Sequence, residues 1–239
     1  MPTHFENGLT NIAQDKTLGA FGAPDPTKYH TFFNDFDDYA AAQWVITTTE
    51  AGTSSATEDI SDADGGILLL TNDNADNDAD FLQWSATDDA SATETFLLES
   101  GKEAWFKARF KVSDATQSDF VIGLQVIDTT PLDATDGIYF QKDDGDALLD
   151  IYCRKNATTG STSASGIHTM VDDTYVIVGW YYDGDVTLQY FVNDVRIGSL
   201  SASSSYLPDT ELTVSFGIQN GEAAAKTMSI DYIFAAKGR

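Results

Sequence analysis

The chain of 239 residues carries 38 acidic against 13 basic side chains, a formal net charge of -25. A surface this negative repels phosphate backbones and anionic headgroups, which argues against nucleic-acid and membrane partners. An apolar fraction of 42% with 12% aromatic residues is enough for a core without staples and excludes wholesale disorder, and one domain is the expectation at this length. The lone cysteine, Cys153, leaves no internal disulfide to form. Met1 to Thr10 has neither a basic nor an apolar leader region, and no run of 18 apolar residues occurs. The expectation is therefore synthesis in a cytoplasm with no membrane span.

In chain order, residues 1–30 come first and differ from the rest. Gly8, Gly19, Gly22, Pro24 and Pro26 punctuate scattered apolar residues, Phe5, Leu9, Ile12, Leu18 and Phe21, a pattern of an extended arm. Residues 31–239 are expected to form the folded domain. From Tyr29 onward, short apolar or alternating runs are separated by Asp, Asn, Gly and Ser clusters, as in a many-stranded antiparallel domain. Fourteen such runs can be counted, from Thr31 to Phe36 through Thr227 to Ala236, too many for one sheet. Two sheets packed face to face are predicted. Tyr39 to Gln43 is too short for a stable helix and Glu222 to Lys226 reads as a turn, so the fold class is all-β.

The clearest local signal runs from Thr174 to Leu200. Tyr175 to Tyr182 precedes Asp183-Gly184, a type I′ turn pair, and Val186 to Val192 follows. Asn193-Asp194 then marks a second turn before Val195. In the middle strand Val186, Leu188, Tyr190 and Val192 share one face and Thr187, Gln189 and Phe191 the other.

Several stretches carry a family resemblance. Asn34-Asp35-Phe36-Asp37-Asp38 followed by Trp44-Val45, the hairpin Val178 to Asp194, Phe216-Gly-Ile-Gln-Asn and Ser229-Ile-Asp-Tyr-Ile-Phe together resemble concanavalin A-like lectin and glucanase sandwiches over residues 31–236. The resemblance implies a jelly-roll, two-sheet antiparallel sandwich behind the arm. Asn7-Gly-Leu-Thr-Asn, Leu18-Gly-Ala-Phe-Gly-Ala-Pro-Asp-Pro-Thr-Lys and Phe32-Phe-Asn-Asp-Phe-Asp resemble virion structural proteins of tailed bacteriophages. That second likeness implies a non-enzymatic head decoration or cement protein on the capsid surface, made in the bacterial host cytoplasm. Its partner would be the major capsid protein, gripped by an arm bearing Phe5, Leu9, Ile12, Leu18 and Phe21, with a homotrimer the favoured assembly. The alternatives are a lectin-like module for host glycans and a glucan hydrolase.

The sharpest enzymatic candidate is Asp76-Asn-Asp78-Ala-Asp80, which as a strand would put three acids on one face. The resemblance implies an E-x-D-x-E triplet at such a place in laminarinase-type sandwiches. Here the outer positions are Asp, one carbon shorter, and strand positions i and i+4 lie about 13 Å apart, whereas a retaining pair needs roughly 5 Å. A solvated loop entering a strand is the plainer expectation.

The same residues, Asp76, Asp78 and Asp80, are the candidate ligands for Ca2+. Asp35, Asp37 and Asp38, Asp73, the set Asp143, Asp144 and Asp146, and Asp183 with Asp185 form further acidic turns. None completes a calcium-loop pattern, and Asp is favoured in turns for its own backbone bonding. The histidines, His4, His30 and His168, accompany no nucleophile motif. Trp44, Trp84, Trp105 and Trp180 all lie in strand runs and are expected in the core. No catalytic residue and no cofactor is expected.

Overall fold

The computed structural model describes residues 27–52, 54–61, 65–86, 94–157 and 163–239. The strands are β1 (Tyr29–Asn34), β2 (Trp44–Thr49), β3 (Thr57–Ile60), β4 (Leu68–Thr71), β5 (Ala79–Trp84), β6 (Phe96–Leu97), β7 (Ala104–Val112) and β8 (Ser118–Gln125). They continue as β9 (Gly137–Lys142), β10 (Leu148–Arg154), β11 (Ser163–Thr169), β12 (Val176–Tyr182), β13 (Thr187–Val192), β14 (Val195–Ser201), β15 (Glu211–Asn220) and β16 (Thr227–Gly238). Single 3-10 turns at Ala41–Gln43 and Pro131–Asp133 complete the described elements.

These strands form two antiparallel sheets. Sheet A has the order β14-β13-β12-β7-β16-β4-β3, with β1 also paired to β16. Sheet B has the order β11-β10-β9-β8-β15-β5-β2, with β6 paired to β15. The fold class is thus the two-sheet antiparallel sandwich that the sequence predicts. Strand β7 shows why: its residues alternate buried and half-buried without a break, so every second side chain enters the core.

β16 is the hub of sheet A. Along one side it pairs with β7; along the other it pairs with β4 through Thr227–Ile230 and with β1 through Ile233–Gly238. A twelve-residue strand can thus take two short partners in succession on one edge.

Edge-to-face aromatic contacts tie the two sheets together. Phe32 of sheet A meets Trp84 and Trp44 of sheet B with ring centroids 5.1 and 6.4 Å apart, and Phe110 of sheet A meets Phe120 of sheet B at 5.2 Å, while within sheet B Trp44 meets both Trp84 and Phe216 at 5.2 Å. Cys153 is fully buried in this core, and burial pushes its thiol up to about 12, so it packs as a small apolar side chain.

Several sequence expectations need correction. Asp183-Gly184 is not a type I′ pair, because Gly184 has φ 80° while Asp183 stays outside the positive-φ region. The connection instead takes four residues, closed by the Asp183 carboxylate accepting from the amides of Asp185 and Thr187 at 2.9 and 3.1 Å. The tight turn is Asn193-Asp194, where both residues have positive φ, 50° and 62°, as a I′ turn requires. β3 and β11 escaped the sequence reading because TEDI and SASGIHT lack an apolar alternation. They are edge strands, and polar edges resist stray pairing. β1 begins at Tyr29, inside the segment assigned to the arm, while Phe5, Leu9, Ile12, Leu18 and Phe21 lie outside the described residues.

The inter-sheet aromatic cluster should dominate stability. Phe216→Ala, which would leave a void among Trp44 and Phe36, is expected to cost about 3–5 kcal/mol, read as a lower urea midpoint with an unchanged denaturant slope.

Candidate functional site

A sandwich offers a binding site on the outer face of either sheet, at its ends, or between its sheet edges. On sheet B the outer face is roofed. Gln83 and Gln125 point outward from β5 and β8 yet are fully buried, because the segment from Val126 to Asp136 lies across them. The Gln83 amide donates to the Val126 carbonyl at 2.9 Å and to Ser215 Oγ at 3.0 Å, while its oxygen accepts from the Asp128 amide at 2.8 Å. Gln125 donates to the Pro131 carbonyl at 2.9 Å. Beside them Leu132 packs on a small outer cluster of Ala79, Phe81, Val121 and Tyr139. Gln83, bonded through both its nitrogen and its oxygen, holds the loop firmly, whereas the buried Gln125 oxygen meets no donor.

On sheet A the outer face has no such roof among the described residues. The alternation that sends Phe106 and Ala108 inward turns Trp105 and Lys107 outward. Cross-strand partners extend the row: Trp105 stands between Ala236 of β16 and Tyr181 of β12, and Lys107 between Phe234 and Gly179. Tyr29 and Tyr181 flank Trp105 at ring centroid distances of 5.4 and 5.5 Å. Two adjoining hollows, of ≈ 350 and ≈ 250 Å³, share Trp105 and Phe234 as walls. Gly179 keeps the larger one open: a Cβ there would project from the floor and meet the Phe106 carbonyl at 2.9 Å.

This placement corrects the expectation that all four tryptophans are core. Trp44 and Trp180 are buried, Trp84 packs against the core, and Trp105 lies half-exposed in the groove. Parity was the available signal, since Trp105 alternates with Ala104, Phe106 and Ala108 on an apolar inner face. Polar groups near the groove are already engaged. Lys107 pairs with Asp194 at 2.6 Å, and Tyr181 donates to Glu103 at 2.5 Å. Arg109 pairs with Asp231 and stacks 4.0 Å above the Tyr175 ring centroid.

The acidic triplet does not form a constellation. β5 begins only at Ala79, and Asn77 has φ 64°, so Asp76 and Asp78 sit in a turn instead of continuing the strand face. Asp76 is exposed. Asp78 is buried and consumed by backbone, accepting from Ala51 at 2.6 Å and from Ala75 at 3.2 Å. Asp80 points the other way, into the space between the sheets, fully buried. Among the described residues no group of three Asp, Glu, His or Cys side chains converges as a metal site, so Asp76, Asp78 and Asp80 are not brought together as calcium ligands.

The loop acids have protein cations instead. Lys142 is buried, donates to the Thr116 carbonyl at 3.1 Å, and faces Asp119, Asp144, Asp146 and Asp114. Burial lowers its pKa against the pull of those four acids. Lys226 bridges Asp114 at 2.8 Å and Glu222 at 2.7 Å. Asp114 is consequently held down at about 2 by Lys226 and by the Gln117 and Thr116 amides, despite the opposing effect of burial. His30 bonds Thr95 Oγ1 at 3.0 Å and lies against Phe96, and His168 sits on β11.

Asp80 has a different environment. Neither of its oxygens meets a hydrogen-bond donor, while Glu58 and Glu50 lie close enough to repel its ionised form. Tyr39, whose hydroxyl reaches Glu58 at 3.5 Å, closes this acidic corner between the sheet edges. Burial first, then Glu58 and Glu50, pushes Asp80 up to about 8. The shift favours the protonated carboxyl, with Glu58 as the group that shares its proton.

No protein-family model matches the chain, and no curated protein matches it. Solved structures do. A protein of unknown function from Shewanella oneidensis MR-1 aligns with TM-score 0.57 at 16% identity, covering 88% of this chain and 87% of that one. A β-1,3-1,4-glucanase (lichenase) derived from a mouse hindgut metagenome aligns with TM-score 0.57 at 11% identity, covering 86% and 98%. The carbohydrate recognition domain of Emp47p aligns with TM-score 0.56 at 13% identity, covering 90% and 98%. The architecture is that of the concanavalin A-like lectin and glucanase sandwiches, a fold that serves binding proteins and hydrolases alike.

The Asp80 corner sets a pH dependence of stability. Its carboxyl binds a proton more tightly in the folded chain than in the unfolded one, where the ordinary value is 3.8. That contribution is complete below about pH 4 and is lost as pH rises towards about 8. In Asp80→Asn the decline across this window should flatten, as measured by urea unfolding at pH 5 and pH 8.5; an unchanged slope would assign it to other groups.

Proposed function

We propose that the chain is a non-catalytic virion structural protein that decorates the head of a tailed bacteriophage, using residues 1–26 to reach neighbouring capsid subunits. Its resemblance in the N-terminal phrases to such proteins motivates the reading. One observation carries it mechanically: β1, which those residues lead into, is zipped to β16 in six consecutive antiparallel pairs, Tyr29 with Gly238 through Asn34 with Ile233. β16 is in turn paired to β7 from Met228 to Lys237. Tension applied along the axis of β1 would load this hydrogen-bond ladder in shear and pass into the centre of sheet A. A tether that must hold a shell under pressure needs such an anchorage.

The disposition of the acids supports a non-catalytic role. Asp78 is committed to backbone amides and Asp80 is turned into the interior, so neither can attack or protonate a sugar on the outer face of a sheet. The major capsid protein is the proposed partner, with a trimer of this chain at local three-fold positions, since closed symmetry matches the symmetry of the shell.

Removal of residues 1–26 is expected to leave the β1 ladder and the β-sheet circular dichroism intact while abolishing co-sedimentation with purified heads. Normal decoration by the truncated chain would sink the proposal. Reducing-sugar release from β-glucans by the full chain would contradict its non-catalytic part.

A further inference from the structure

Four strands end the two sheets: β14 and β3 in sheet A, β11 and β2 in sheet B. A terminal strand leaves one row of backbone amides and carbonyls outside any ladder, which is a template for another chain unless a charge, a bulge or shortness blunts it. Three of the four are blunted. β3 is four residues long and carries Glu58 and Asp59. β14 carries Arg196 and pairs with β13 across a register shift, and β11 pairs with β10 across another. β2 has no such device: WVITTT holds no charge, proline or glycine, and its register with β5 runs unbroken from Trp44 with Trp84 to Thr49 with Ala79.

We infer that the free edge of β2 is a docking site for an extended, basic segment of a partner protein, which joins sheet B as one more strand. The backbone shows which groups would bind it. The Ser85 amide donates to the Gln43 carbonyl at 3.1 Å, so the ladder to β5 uses the odd-numbered residues of this strand. Antiparallel alternation then turns the backbone groups of Trp44, Ile46 and Thr48 to the other side, where no strand pairs with β2 among the described residues. Beside the strand lies a hollow of ≈ 380 Å³ lined by Ala41, Ala42, Trp44, Val45 and Ile46. Its small alanines leave room for apolar side chains of an incoming strand, the usual source of specificity in strand addition.

Charge defines the partner's chemistry. No Lys or Arg occurs between Lys28 and Lys102, the stretch that forms β1 to β6. Asp37 and Asp38 lie exposed in the loop before β2, Glu50 lies exposed directly after it, and Glu58 and Asp59 follow on β3. Elsewhere lysines answer crowded acids, as Lys142 and Lys226 do; here the bases must come from outside. A segment with an apolar centre and basic ends meets the amides, the hollow and the acids together. A second copy of this chain fits poorly, because pairing β2 with β2 would set these acids against their own equivalents. The inference stands apart from the capsid reading, which uses residues 1–26.

The test mixes the full chain with a synthetic peptide, KKVTVTVKK, at about 0.15 M salt, where long-range attraction is largely screened. Saturable binding is expected by calorimetry, with the amides of Ile46 and Thr48 gaining protection in hydrogen exchange. The equally charged peptide KKPTPTPKK, whose prolines cannot donate to a ladder, should bind at least about tenfold more weakly. Thr48→Pro removes a free-edge amide but none of the ladder to β5, and should cause a similar loss with the β-sheet circular dichroism unchanged. Should that variant fail to fold, the peptide pair still decides.

Equal binding of the two peptides would reduce the effect to net charge and overturn the inference. Protection mapped to β14, β11 or the outer face of sheet A would overturn it as well, and so would an absence of binding. A dimer of the chain alone in light scattering, dispersed by Thr48→Pro, would give the edge to a second copy instead.

Discussion

A two-sheet sandwich has four sheet faces and one core, so two faces must be dealt with by other means. Much of this molecule follows from that constraint. The facing sides are filled by apolar residues at every second position, and Trp44, Trp84 and Phe216 interlock there. Sheet B solves its outer face with polar chemistry: Gln83, Gln125 and Ser215 lie on the strands, and a loop is hydrogen-bonded over them. Sheet A carries Trp105, Tyr181, Phe191 and Phe234 outward with no comparable cover among the described residues. The two outer faces thus differ in chemistry, amide on sheet B and aromatic on sheet A.

Charge imposes the second constraint. Acids outnumber bases by 38 to 13, and the structure spends its few cations where acids crowd. Lys142 and Lys226 each sit among acidic loops, and the outward row of Lys107, Arg109 and Lys111 on β7 pairs with Asp194, Asp231 and Asp173. Where no cation reaches, at Asp80, burial and the neighbouring Glu58 and Glu50 push the carboxyl pKa upward and favour its protonated form. Acidic turns that invite a calcium reading from sequence are in large part built from Asx bonds to backbone amides and ion pairs with lysine.

The all-β class, the paired sheets and strands such as β7 were legible because alternation is a local property of the sequence. Edge strands β3 and β11 were not, since an edge need not be apolar and Thr57–Ile60 carries two acids in four residues. The direction of Asp80 was also hidden. Its spacing from Asp78 suggests a shared face, but that inference assumes continuous strand geometry, which Asn77 breaks with φ 64°. Trp105 illustrates the opposite case. Alternation did place it outside, yet a tryptophan in a strand run reads as core when residue type is weighed above parity. Which outer face would be roofed depends on contacts between β5, β8 and a distant loop, and no local pattern encodes that.

The position of β1 joins these points. Being paired to β16 alone, it is an edge along half the length of sheet A, and edges normally need protection. The side chains it turns outward include Phe33, which is 63% exposed, next to Phe234 of the groove in register. An unprotected edge, an exposed phenylalanine and an aromatic groove therefore meet at the place where the chain enters the sandwich. Each alone would be a liability for a freely dissolved protein. Their convergence distinguishes the outer face of sheet A from that of sheet B, where Gln83 and Gln125 lie under a loop. The β1–β16 ladder fixes that point of entry, because Tyr29 through Asn34 are all held in register against β16.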